Sequence, residues 1–439
     1  MGSRLSQIRL APRLAPWLLA TAAAAFVASG AAAPTTASAA TRHIRVMCYS
    51  DGNECPVTRD LAAEFMKSNP GIEVTIDEVP YSAILQSLPV QLAAGKGPDI
   101  ARVTLFGNYS QYFLDLRPYL KDAKFWETTF GPTLDWMRKG PSDHGIYGLM
   151  TQLTVTAPIV DKTLFEQAKV PIPGPKATWD EWATAVEKVA KATGTEAGMA
   201  WDRSGHRFAG PAISYGAKYF DAKGEPAVVD AGFKAMAKRF YDWNLNGTVL
   251  KSIWAGQATG YRDAFNEFAN GKIVMYYSGS WQLTRLLKLG NAFSWEFAAN
   301  PCGPDACSGM PGGAAFVAFK ETKHPHAVAA FLDFLAQPAN YRTFSERTNN
   351  IPAELPLQKQ VLDYKMPAEG KAALATLLHD AATLSPIAYH LQGYRFAGAI
   401  FGATADRIGQ AIAGSMTLDQ AYQRITQDIA TAIATAKKK

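Results

Sequence analysis

Two close pairs of cysteines, Cys48 with Cys55 and Cys302 with Cys307, are the residues most capable of covalent chemistry. Thiols at such spacing form disulfides or hold a metal. Neither pair is C-x-x-C, and no histidine stands at ligand spacing beside one, which argues against zinc. Four cysteines allow three connectivities. Pairing near neighbours, Cys48–Cys55 and Cys302–Cys307, is the simplest, because it closes the shortest loops at low entropic cost. An oxidising compartment favours both bonds. The other chemically loaded stretches mix aromatic and polar types: "YSDGNE" (49–54), and "AWDRSGHRF" (200–208), which carries Trp201, Asp202, Arg203, His206 and Arg207. Aromatic faces bury apolar ring surfaces, and Asp, Asn, Gln and Arg present paired acceptors or donors. Such groups hold a ligand without reacting with it. Catalytic signatures are missing: no G-x-S-x-G elbow, no H-E-x-x-H, no P-loop and no G-x-G-x-x-G. A carboxylate pair for glycoside cleavage is a spatial arrangement that sequence does not display, so a secreted hydrolase stands as an alternative.

Ordered elements must position these residues, and the periodicity supplies them. "HIRVMCY" (43–49) predicts a strand. Residues 57–68 place Val57, Leu61, Phe65 and Met66 at helical spacing, and Asn69-Pro70-Gly71 stops that helix. Residues 72–79 alternate as a second strand, 81–95 form a second helix apart from Pro89, and 98–103 a third strand. The order β-α-β-α-β predicts a parallel sheet with helices packed on it. Further helices are expected over 178–193, where Thr178 and Glu181 make a capping-box pattern, and over 233–244, 261–271, 325–338 and 404–436. Strands are expected over 272–279 and 311–319. No Pro/Ser-rich linker divides the chain, so it is one domain or its domains are joined by multiple crossings.

The chain has 439 residues, which at about 150 residues per domain suggests two or three domains. Hydrophobic residues make up 48% and charged residues 19%, enough apolar material for a core and against disorder. Arg4, Arg9 and Arg13 precede the apolar stretch "APWLLATAAAAFVASGAAA", which ends at the small-residue site Ala37-Ser38-Ala39. This is the three-part pattern of a secretory signal cut near Ala39 or Ala40. Without those three arginines, 41 of the 44 basic residues remain against 38 acidic ones, a charge of +3. That balance carries no nucleic-acid signature.

Several segments together resemble a known family. "EFMKSNPGIEVTIDEVPY" followed by "LAAGKGPDI" looks like the opening of the family 1 extracellular solute-binding proteins, which include the maltose- and other sugar-binding proteins of ABC importers. "FANGKIVMYYSGSW" (268–281), "PGGAAFVAFKETKHPHAVAAFLDFLAQP" (311–338) and "NNIPA" (349–353) resemble later segments of the family in the same order. The resemblance covers most of residues 44–353. It implies a two-lobed α/β periplasmic-binding-protein fold, type II-like, each lobe a mixed sheet flanked by helices and joined to the other by several hinge crossings. Residues 1–39 are the expected signal peptide. One lobe is expected from 41–152 plus 309–352, the other from 153–308 plus 353–435, with ligand held in the cleft between them by hinge closure. It also implies a periplasmic monomer without cofactor, not an enzyme, whose partners are a carbohydrate ligand and the membrane permease subunits of an ABC importer.

A sugar offers C–H faces for stacking and hydroxyls for hydrogen bonds, and the contacts belong in loops at the C-terminal ends of strands. By resemblance, Trp281 stacks on sugar; otherwise it anchors a helix in the core. Tyr49, Asp51 and Asn53 lie in the loop between Cys48 and Cys55. Arg102, Thr104 and Asn108 follow the third strand, where maltose-binding relatives supply an aromatic and charged contacts; the Trp and Asp usual there are absent, which puts a maltodextrin ligand in doubt. Gln152 lies where the family crosses between lobes. Trp201, Asp202, Arg203 and His206 make a plausible second wall, and Trp254 another contact or a surface-helix cap. Gly312 and Gly313 let backbone approach the ligand. Tyr389, His390, Tyr394 and Arg395 from the last helices complete the cleft. Other ligands remain open on the same fold: a polyamine, for which "DGNE" is the hint, an anionic or phosphorylated solute held by Arg102, Arg203 and Arg207, or a metal.

Overall fold

The computed structural model describes residues 41–255 and 260–437; the signal peptide expected over residues 1–39 lies outside them. The leading β-α-β-α-β order is present as β1 (Arg42–Cys48), a helix over Glu54–Ser68, β2 (Ile72–Glu78), a helix over Tyr81–Ala93 that runs through Pro89, and β3 (Ile100–Val103). Six more strands follow: β4 (Gly148–Val155), β5 (Pro158–Asp161), β6 (Ala197–Trp201), β7 (Ile273–Tyr277), β8 (Trp295–Phe297) and β9 (Pro311–Ala318).

They form two mixed sheets, one in the order β2-β1-β3-β9-β4 and one in the order β6-β7-β5-β8. In the first, β1 pairs in parallel with β2 from Arg42↔Ile72 to Cys48↔Glu78 and with β3, while β9 runs antiparallel to both β3 and β4. In the second, β6 and β7 are parallel and β5 is antiparallel to β7 and β8. Each sheet has its own apolar core. One gathers Val46, Phe65, Trp126, Phe316 and Phe331, and the other Trp179, Trp182, Trp201, Phe240 and Ile408. The chain passes between the cores within β4, whose Met150 belongs to the first and Val155 to the second, and again next to β9, between Met310 and Ala315.

Local chemistry sets the helix ends. Thr178 and Glu181 close a full capping box at Trp179–Thr193, and Gly194 ends that helix in the left-handed region. Gln337 is extended (φ −60°, ψ 135°) because Pro338 follows it, so the helix expected over 325–338 stops at Ala336 and a new one begins at Pro338. The helical tail is likewise two helices, Ala397–Ile412 and Leu418–Lys437, parted at Gly414 with φ +83°. The helix expected over 261–271 is shortened to Phe265–Ala269. Its first residues pair elsewhere instead: Arg203 N–H donates to the Arg262 carbonyl (2.8 Å) and Ala264 N–H to Asp202 (3.2 Å). Both short disulfides are formed, Cys48–Cys55 and Cys302–Cys307. Among the described residues no helix is long and apolar enough to cross a membrane.

Candidate functional site

A cavity of about 270 Å³ opens between residues carried by the two sheets. From the first come Tyr49 and Asp51 after β1, Tyr81 after β2, Thr104 and Asn108 after β3, Gln152 and Thr154 in β4, and Gly312 and Gly313 in β9. From the second come Arg203, His206 and Arg207 after β6, Tyr261 before β7 and Trp281 after it. The late helices add Gln392, Phe401 and Asp406. The site therefore sits at the C-terminal ends of β1, β2, β3, β6 and β7, the crevice expected of such sheets.

The first wall is organised around Arg102, which is fully buried behind the cavity lining. Its guanidinium donates to the Tyr49 carbonyl (3.0 Å) and to Gln152 Oε1 (2.8 Å), and lies 3.5 Å from Asp51 and 3.6 Å from Glu54. It also covers the Tyr49 ring at 4.2 Å. The Glu54 carboxylate accepts N–H bonds from Asp51 (3.0 Å) and Gly52 (2.9 Å), so the loop after β1 is held by this acid as well as by the Cys48–Cys55 bond. Burial pushes the Asp51 carboxyl up to about 7; Arg102 opposes the shift and Glu54 adds to it.

The second wall is organised around Asp202, also fully buried. It accepts from Tyr276 (2.6 Å), Ser278 (2.8 Å), Tyr261 (3.2 Å), Arg207 Nε (3.2 Å) and the Ala264 N–H (3.2 Å). Five donors on its two oxygens mark an ionised carboxylate, although burial raises its pKa against the pull of Arg207. Arg207 Nη1 donates to His206 Nδ1 (3.0 Å), which makes Nε2 the protonated nitrogen and the donor to the Pro311 carbonyl (2.9 Å). Burial, reinforced by the Arg207 charge, lowers the His206 pKa to about 3, so the ring stays neutral. Arg203 pairs with Asp406 (2.9 Å) and the Gly260 carbonyl.

Aromatic rings span the cleft. Tyr81 packs on Tyr49 (ring centres 4.8 Å apart) and edge-on against Tyr261 of the opposite wall (5.3 Å). The Arg207 guanidinium sits 4.0 Å over the Trp281 ring, so one indole face is already taken. Gly279 is required beneath it, since a Cβ there would collide with that ring.

Of the residues expected from sequence, the cavity brings together Tyr49, Asp51, Thr104, Asn108, Gln152, Arg203, His206, Arg207, Trp281, Gly312 and Gly313. Arg102 and Asp202 stand directly behind the lining as its supports. The others are placed elsewhere. Asn53 spends its amide on the Arg347 carbonyl (2.9 Å). Trp201 is core, stacked on Phe240 at 4.5 Å, and Trp254 is core with its indole N–H on the Trp201 carbonyl (3.0 Å). Tyr389 is exposed and bonds the Ala381 carbonyl (2.7 Å). His390 and Tyr394 pack on Phe220, and Arg395 covers Phe396; from this region the cavity receives Gln392 instead. Sequence reasoning did not single out Tyr81, Tyr261, Gln392, Phe401 and Asp406. "VPY" closed a quoted segment, but nothing local separates a cleft tyrosine from a core one.

The family model described as bacterial extracellular solute-binding protein matches residues 56–342. A binding protein of Brucella abortus (strain 2308) is 25% identical over 347 residues, which span 74% of this chain and 79% of that one. The arabinooligosaccharide-binding protein of Bacillus subtilis (strain 168) is 26% identical over 292 residues, 63% of this chain and 65% of that one. The ABC substrate-binding protein of Listeria monocytogenes, solved in complex with cycloalternan, matches with a TM-score of 0.76 at 18% identity, covering 90% of this chain and 99% of that one. Two mixed sheets, two cores, a ligand-sized cavity between them and a family match across most of the chain lead to one conclusion: the protein is a two-lobed α/β binding protein and belongs to the bacterial extracellular solute-binding protein family.

Proposed function

We propose that this protein is the substrate-binding subunit of an ABC importer, which captures an uncharged carbohydrate in the interlobe cleft by hinge closure and delivers it to a membrane permease. The family is one of binding proteins rather than enzymes, and we read this chain as releasing its ligand unaltered. We divide the lobes as 41–152 with 309–352, and 153–308 with 353–435; the separate sheets and cores support that division except around residue 353, since Ala353 and Leu357 pack in the first core. On this reading the chain is exported by its N-terminal signal and works as a periplasmic monomer.

The observation that carries the proposal is the combination of aromatic rings with charges that are already matched. Tyr81, Tyr261 and the uncovered face of Trp281 supply faces for the C–H surfaces of a sugar, with Tyr49 packed behind Tyr81. Each arginine at the cleft has its own acid: Arg102 has Glu54 and Asp51, Arg203 has Asp406, and Arg207 has Asp202. An anionic ligand would meet no uncompensated cation, which weighs against the phosphorylated or acidic alternative. Asp51, whose carboxyl is pushed up by burial and lies 3.5 Å from Arg102, is a weak basis for a polyamine. Among the described residues no three His, Cys, Asp or Glu side chains are placed to hold a metal ion.

A thermal-shift screen of the mature protein tests this against neutral sugars, polyols, polyamines and phosphorylated sugars. A ligand that binds only the folded state at about 100 times its Kd stabilises it by about 2.7 kcal/mol. We expect a shift with neutral saccharides; a shift with polyamines or phosphorylated solutes alone would end the carbohydrate reading.

A further inference from the structure

We propose that Arg207 is the specificity-determining donor of the cleft: clamped by Asp202 at Nε and by His206 at Nη1, it offers its remaining N–H groups to two adjacent hydroxyls of the ligand. The inference rests on the carbohydrate reading and names the residue that orients the sugar.

The geometry is specific. A guanidinium has five N–H donors in a rigid plane. In Arg207 one goes to Asp202 (3.2 Å) and one to His206 Nδ1 (3.0 Å). The remaining three have no partner among the described residues, and Arg207 lines the cavity. The plane is held a third way, because the guanidinium lies 4.0 Å over the Trp281 ring, an attraction that grows when water is excluded. The clamps are themselves fixed: Asp202 by four other donors, His206 by its bond to the Pro311 carbonyl. A donor pair held so firmly matches a vicinal diol in one orientation. A lysine at the same place would be a point charge without the planar fork. The order of the cleft then differs from a plain aromatic platform: Trp281 carries Arg207, and Arg207 reads the sugar.

Calorimetric titration tests this with two neutral probes, arabinotriose and maltotriose, and with monodeoxy and mono-O-methyl forms of whichever binds. We expect R207Q to weaken binding of the parent saccharide by about 30- to 100-fold, and R207K, which leaves Asp202 a cation, by about tenfold. At one ring position, removal of a hydroxyl should cost the wild-type protein affinity and cost R207Q nothing, the non-additivity that marks a direct contact. H206F, which removes the Nδ1 acceptor, should lower affinity without abolishing the discrimination at that hydroxyl. Equal affinity of wild type, R207K and R207Q for the saccharide would overturn the assignment while leaving the carbohydrate reading intact. So would a deoxy penalty that is unchanged in R207Q. Wild-type protein that binds neither probe nor any other neutral saccharide would overturn both.

Discussion

Gln152 Oε1 receives two hydrogen bonds at once, from Arg102 Nη2 at 2.8 Å and from Asn350 Nδ2 at 2.6 Å. Two donors on one oxygen settle which end of the amide is which, and leave its NH₂ as the group facing the cavity. Gln152 also sits in β4, where the chain passes between the cores. One residue thus joins the support of the first wall to the strand that passes between the cores and to the cavity lining. Replacing Gln152 by Leu strands two buried donors and should cost about 1–3 kcal/mol of stability in urea unfolding. Gln152→Glu keeps an acceptor for both, so stability should recover while saccharide affinity stays low. Recovery of affinity along with stability would show that the amide does not touch the ligand.

Trp281 carries Arg207 on its face. Trp281→Ala removes an attraction worth about 0.5–2 kcal/mol together with one apolar wall. Saccharide binding should weaken by about tenfold or more in a folded variant, whereas Trp281→Phe should lose less. Calorimetry decides it, and unchanged affinity in Trp281→Ala takes the residue out of the site.

Burial in the cleft raises the Asp51 carboxyl from its ordinary 3.8 to about 7. Opening the cleft hydrates it and returns it toward the ordinary value. Closure therefore takes up a proton between those two values, and linkage makes the closed form lose stability as pH rises through that window. Saccharide affinity should be higher at pH 5.5 than at pH 8, and the difference should vanish in Asp51→Asn. His206, lowered to about 3, contributes nothing in this range. Titration heats in buffers of different ionisation enthalpy measure the proton directly, and proton release on binding would contradict the assignment.

Gly107, in the loop after β3, meets the backbone of Arg395, which our proposed division assigns to the other lobe, so closely that a Cβ would collide with its carbonyl. Neither backbone can yield as a side-chain tip would. Gly107→Ala should leave the melting temperature of the ligand-free protein little changed but prop the lobes apart. A penalty of about 1.4 kcal/mol on the closed form alone weakens binding tenfold. Small-angle scattering should then show no compaction on adding saccharide; normal compaction and affinity would mean the lobes close without this contact.

Local signals were sufficient for much of this protein. The alternation and helical spacing of residues 43–103 predict the β-α-β-α-β start, Thr178 with Glu181 predicts a capped helix, and short loops predict both disulfides, because each depends on neighbours a few residues apart. The segments from "EFMKS" to "NNIPA" were enough to point to the family. The cleft is different, since its walls are assembled by strands and helices that return from distant parts of the chain. Trp201, Trp254 and Trp281 are all tryptophans near the ends of ordered elements, yet the first two stack into the core with Phe240 and only the third reaches the cavity. Tyr81 and Tyr261 meet across the cleft from 180 positions apart, and Asp406 finds Arg203 from a late helix. Sequence determined which elements form and which side chains exist to bind a solute. Tertiary packing decided which of them water and ligand can reach, because burial and pairing belong to surfaces brought together only when the two lobes fold.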